Sequence, residues 1–207
     1  AASERAREEG ILNRFAVGLS CALALPVQER AHTAVGSKGS WPRYIDPVAR
    51  YLHYEKAFLG GELDPAFGTF TAWELKFLFG WGDPHGHLAW CREMLRNLRP
   101  DHIYAAPDGV RYSVIVNTCV KYGSGHVCLD RSEQFAAQNI IMNGGVCGRR
   151  AGMGRVMCRS FGIPATARPS PRHGALVRWT PNGWWPNLGP GWGAGYVWGS
   201  KDLWFRD

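Results

Sequence analysis

The apolar residues of this chain keep two rhythms, one on each side of about residue 105, and few folds accommodate both in that order. On the N-terminal side the rhythm is helical. Ile11, Phe15, Leu19 and Leu23 recur every four residues in a segment dense in Glu, Arg and Ala. That spacing predicts a helix over residues 2–25, ended by Pro26. Residues 34–42 read as a loop. A second helix is predicted over 46–60, with Asp46 as N-cap and Pro47 at the first helical position. A short helix follows from Thr71 to Phe79. Asp83-Pro84 starts another that runs to about Leu98, with Pro100 beyond its end. The rhythm then changes. Residues 110–122 are rich in β-branched and aromatic types and read as a strand. A short helix over 131–141 is broken by Gly144-Gly145. The next helix opens at Val146 or Cys147 and stops before Gly162 and Pro164. Three strands follow at about 164–169, 173–180 and 183–188, with turns at Pro169-Ser-Pro171 and Pro181-Asn182-Gly183. Helices first and antiparallel strands last is an α+β order, not alternating βαβ. The division predicted is a helical preamble over 1–105 and a core over 106–207, separate or continuous.

The chain has 207 residues, enough for one domain with a real core. Apolar residues are 45% and charged residues 20%, which argues against a disordered chain. No uncharged apolar run approaches the ~18 residues of a membrane-spanning helix. The net charge is +7, and its position matters more than its size. Residues 1–133 carry 15 basic and 15 acidic side chains, whereas residues 134–201 carry eight basic ones and no Asp or Glu. This excess is either a solvated face or a positive field around a site that handles anions or acidic protein. Its arginines are spread out, with no zinc-finger spacing or RNP-like run, so no specific nucleic acid is expected. The six Cys form no CxxC pair, which argues against structural zinc. Cys119 and Cys128 are spaced to close a hairpin. Phe15 to Pro26 has the apolar character of a signal peptide core, but the charged lead containing Glu8 and Glu9 fits a folded amphipathic helix better. The Ala-Ala-Ser start, without Met, suggests a processed N-terminus and a secreted or organellar setting.

Cys147 stands out for its place. It follows Asn143-Gly-Gly-Val and opens a helix, where the macrodipole and unpaired N–H groups favour a thiolate. Arg149, Arg150 and Arg155 push the same way. Positions 147, 151, 154 and 158 share one face of small residues, which lets a neighbour approach closely. A thiolate nucleophile needs a base, and the base needs an orienting group. The only His downstream is His173, at the start of a predicted strand. No carboxylate lies between His173 and Asp202, which leaves Asn182 and Asn187 as amide candidates. Asn182 is explained by its Pro-Asn-Gly turn. Asn187 lies on the returning strand, where a hairpin would bring it back toward His173.

These residues resemble the transglutaminase-like family, a branch of the papain-like cysteine enzymes. The match comprises Gly145-Val-Cys147, Cys158-Arg-Ser-Phe-Gly-Ile-Pro164, His173-Gly-Ala and Gly183-Trp184, and it covers about residues 140–190. Tyr51-Leu-His-Tyr-Glu-Lys and Arg99-Pro-Asp-His102 resemble the segment preceding the core in members of the group. The resemblance implies a catalytic helix packed on an antiparallel sheet, a Cys147–His173–Asn187 triad and an acyl-enzyme intermediate on a protein or peptide substrate. The third position departs from the more usual Asp, and it stands three residues after Trp184 rather than about four.

The N–H of Cys147 is the natural first oxyanion donor. A second is sought among Gln138, Asn139 and Asn143, with helix surface or loop as the competing reading of each. Trp184, Trp185, Trp192 and Trp198 either line a substrate groove or pack the core. His85, His87 and Cys91 are potential ligands, but only His87 and Cys91 share a helix face, so no metal is expected; no cofactor is expected either. The alternative to an enzyme is a catalytically degenerate relative serving as a structural subunit of a larger assembly.

Overall fold

The structure, a computed structural model, describes residues 2–24, 46–79, 83–98, 102–105, 119–123, 136–170 and 173–187. Its helices are α1 (Ala2–Ala24), α2 (Pro47–Leu59), α3 (Ala72–Leu75), α4 (His85–Leu98), α5 (Ala136–Asn143) and α6 (Cys147–Ser160). Short 3₁₀ turns at Pro65–Thr69 and Lys76–Leu78 flank α3. The strands are β1 (Ala165–Ser170), β2 (His173–Arg178) and β3 (Trp185–Asn187), in an antiparallel sheet of order β1-β2-β3. The architecture is α+β, helix-rich with a small sheet. None of the described helices is long and apolar enough to cross a membrane.

Local chemistry explains the element ends. Asp46 accepts the Val48 N–H at 2.9 Å and Pro47 supplies the first helical φ of α2. Thr71 and Glu74 exchange bonds in a capping box that starts α3. At the end of α6, Gly162 takes φ 75°, the Ile163 N–H returns to the Cys158 carbonyl at 3.0 Å, and the Gly162 N–H returns to that of Arg159 at 2.9 Å. That pair of bonds is a Schellman motif, and it needs glycine. Gly183 (φ 107°) closes the β2–β3 turn with reciprocal backbone bonds to Thr180.

Two expectations shift. The buried face of α1 is Ile11, Phe15, Gly18 and Ala22; Leu19 is half-buried and Leu23 exposed. A step of four residues overshoots the 3.6-residue turn, so the stripe slides off the face within three turns. Gly18 replaces Leu19 because α1 crosses α3 at contact distance: a Cβ there would lie 2.7 Å from the Ala72 carbonyl oxygen. The expected strand over 110–122 falls mostly outside the described residues. Its described end makes one parallel bridge, Tyr122 to Gly145.

One buried apolar cluster runs from Ile11 and Phe15 through Tyr54, Phe67 and Leu88 to Phe161, Ile163 and Leu176, drawing on both the helical part and the core around α6. Helix α6 packs on β1 and β2 on one side and on α4 on another. The helical part also catches the carbonyls at the end of α6. Tyr54 Oη donates to Arg159 O at 2.9 Å, Arg92 Nη1 to Ser160 O at 2.9 Å, and the Asp64 N–H to Phe161 O at 3.0 Å.

Candidate active site

Cys147 is the first residue of α6. The chain reaches it through Gly144 (φ 76°), whose N–H returns to the Ile140 carbonyl at 2.8 Å and ends α5. Gly145 lies under the Arg149 stem, where a Cβ would stand 2.7 Å from Arg149 Cβ. Val146, extended, caps α6 without a side-chain bond. The first-turn N–H groups thus receive no acceptor from the cap, and the half-buried free thiol of Cys147 stands beside them.

Strand β2 begins against this turn. A Cβ on Gly174 would lie 3.4 Å from Gly148 Cα and 4.0 Å from the Cys147 carbonyl carbon. His173 immediately precedes Gly174 and opens β2. The backbone therefore carries position 173 to the helix start that holds the thiol. Asn187 ends β3 and pairs with Leu176, three residues along β2 from His173. Strand positions an odd number apart fall on opposite faces, so this register does not by itself set positions 173 and 187 on one face. Asn182 occupies the turn, exposed.

Two of the other cysteines, Cys91 and Cys158, are buried, whereas Cys21 is half-buried and Cys119 exposed. Burial pushes the Cys158 thiol up to about 12, and burial raises Cys91 as well. Both stay protonated at neutral pH. Cys128 lies outside the described residues, and any pairing with Cys119 with it. Of the three arginines expected near the thiol, Arg149 and Arg150 lie in the first turn. Arg155 is two turns on, 4.0 Å from the buried Asp83 carboxylate, so its charge serves Asp83. Among the helix donors, half-buried Gln138 and buried Asn143 lie on α5, with Asn143 as its last residue.

Trp184 is half-buried and meets the Phe77 ring edge-on at 5.1 Å, joining the β2–β3 turn to the helical part. Trp185 pairs with Arg178 through the backbone, and Trp192 and Trp198 lie outside the described residues. His87 is fully buried and its Nε2 accepts the Ala137 N–H at 3.2 Å, tying α5 to α4. Among the described residues no three His, Cys, Asp or Glu side chains gather as a metal site.

Tyr122 has no role in the sequence reading, yet it is 67% exposed and bridges the residue two before Cys147. The Arg150 guanidinium stands 5.7 Å from its ring centroid, and Arg150 Nη1 donates to the Val120 carbonyl. Only its place at the end of a β-rich run marked it in the sequence. No protein-family model, curated protein or solved structure matches this chain.

Proposed function

We propose that the chain is a transglutaminase-like cysteine acyltransferase or hydrolase acting on protein Gln carboxamides or peptide bonds. The observation that carries this reading is the apposition of the β2 start, at His173-Gly174, with the first turn of α6, at Cys147-Gly148. In the reaction, Cys147 gives its thiol proton to His173, the Sγ thiolate attacks the carbonyl carbon, and the oxyanion is held by the N–H of Cys147. His173 gives its proton to the departing nitrogen as the C–N bond breaks, leaving a thioester. Water or a Lys amine then attacks, returns a proton through His173 and frees the thiol. Asn187 is assigned to orient the imidazole; support for it comes from the sequence pattern.

The Asn187 register favours a second reading, a degenerate structural subunit whose Cys147 is inert. Iodoacetamide at neutral pH separates the two. The enzyme reading expects rapid alkylation mapped to Cys147, with Cys91 and Cys158 untouched in the native protein. Alkylation of Cys147 no faster than that of a free peptide thiol would leave the subunit reading standing.

A further inference from the structure

Strand β2 meets the first turn of α6 at a residue without a side chain. A Cβ on Gly174 would lie 3.4 Å from Gly148 Cα, 3.7 Å from Gly148 N and 4.0 Å from the Cys147 carbonyl carbon, all backbone atoms of that turn. Positions 174, 176 and 178 fall on one face of β2. Leu176 and Arg178 are buried, and Gly174 ends this file at the turn that carries Cys147. Side chains space the strand from its neighbours along the rest of the file, and at Gly174 nothing does. The sheet does not fix this end of β2 by itself. Gly174 pairs with Pro169, and proline has no N–H, so the pair supplies at most one of the two bonds that an antiparallel pair can exchange. The place of the β2 start thus depends on how closely Gly174 approaches α6.

We propose that Gly174 is a positioning residue of the acyl-transfer site: by carrying no side chain it lets the start of β2 close on the first turn of α6, and so brings position 173 to Cys147. The inference rests on the acyl-transfer reading and names the residue that sets its geometry. His173 is the preceding residue of β2, so a side chain at 174 that lifts the strand from the helix carries position 173 away with it. The atoms opposite are backbone and have no rotamer with which to yield. Alanine would add only the Cβ, at ordinary contact distance. In valine the γ-methyls reach about 1.5 Å further, and the two cannot both turn aside.

The test reads the thiol without a substrate. The rate of iodoacetamide alkylation, mapped to Cys147, is compared between two pH values. A thiolate held beside an imidazolium reacts nearly as fast at about pH 6.5 as at about pH 9.5, whereas a thiol of ordinary acidity, about 8.5, reacts roughly a hundredfold more slowly at the lower pH. The wild type is expected to show a ratio near one and Gly174→Ala a ratio close to it. Gly174→Val should move toward a hundredfold while matching the wild type at the higher pH, since the thiol remains and only its partner has moved. A merely structural glycine would lower the urea midpoint and leave the ratio alone. Gly152→Ala, one turn beyond Gly148 with nothing within 4 Å of its Cβ, should keep the wild-type ratio. A folded Gly174→Val with the wild-type ratio overturns the assignment, as does a shifted ratio in Gly152→Ala. If Gly174→Val does not fold, Gly174→Ser, with one atom past the Cβ, is judged by the same ratio. Failure of both to fold makes the glycine a requirement of the fold alone and overturns the assignment too. Failure of the acyl-transfer reading is seen separately, in the wild type before any substitution, as a ratio already near a hundredfold.

Discussion

Removing a nucleophile and removing its helper have different consequences. On the acyl-transfer reading proposed above, Cys147→Ala should abolish thioester formation, and His173→Ala should be nearly as damaging, because it would remove both base and acid. Asn187→Ala should cost on the order of ten- to a thousandfold in kcat/KM, since the imidazole keeps its identity and loses orientation. Steady-state kinetics on a Gln peptide checks all three; a harmless Asn187→Ala removes Asn187 from the triad. His87 and His53 report on pH instead. Burial lowers His87 to about 4. Burial, followed by Arg92, His85, Arg50 and Lys56, lowers His53 to about 3. Both values lie below the ordinary 6.5, so the unfolded chain takes up protons first. Stability should be complete above about pH 6.5 and decline as the pH falls toward 4. Urea midpoints between pH 7 and 5 read this, and a flat series would contradict it. At this scale the sequence was legible where a residue's role is set by its immediate neighbours: Gly144-Gly145 announces that Cys147 opens a helix. It was silent where the role depends on a distant partner. His87 resembles a metal ligand until Ala137, in another helix, is seen donating to it.

Elements meet at glycines here, and two of them carry measurable consequences. Gly162→Ala would force a left-handed φ on alanine and set a methyl 2.7 Å from the Phe67 ring. A loss of about 2 kcal/mol is expected, split between backbone strain and overpacking. Gly18→Ala poses opposed effects. Helix propensity gains about 1 kcal/mol, but the new Cβ would approach Ala72 O to 2.7 Å and Leu75 Cβ to 2.9 Å. Overpacking against backbone costs about 1–3 kcal/mol, so the variant should be destabilised despite its better helix former. Denaturant midpoints at constant m-value check both. The same crossing explains a misreading of α1. Apolar spacing showed that a helix forms, but the buried face is chosen by what lies across from it, and close contact with α3 favoured Gly18 over Leu19. The strands were located within a residue or two because turn residues mark their ends. Register was not legible, since the pairing of Asn187 with Leu176 depends on how tightly Pro181-Asn182-Gly183 closes.

The whole molecule is held together by groups that no local pattern reveals. Asp83 is buried near Arg159 (3.6 Å) and Arg155 (4.0 Å), and its carbonyl accepts Arg50 Nη2 at 2.5 Å. Burial alone would raise its carboxyl, but Arg155, Arg159 and Arg50 outweigh this and hold it below the usual value. Asp83→Asn leaves those guanidiniums buried without their anion, and a loss of roughly 3–5 kcal/mol is expected from the unfolding free energy. A change under 1 kcal/mol would mean the charges are solvated after all. The captured carbonyls of α6 have a mechanical consequence. Tyr54, Arg92 and Asp64 clamp the carbonyls at one end of the helix, while the Cys147 end is held by the close approach of Gly174 to Gly148 and by Arg150, so α6 is a beam fixed more firmly at its root than at its tip. A beam fixed this way frays from the tip inward. Amide exchange should be slowest over Val156–Ser160 and faster over Ala151–Gly154, with the whole gradient flattened by Tyr54→Phe, which releases the clamp at Arg159. The Cys147 end of the helix would then move in brief local excursions, while its root stays fixed in the core.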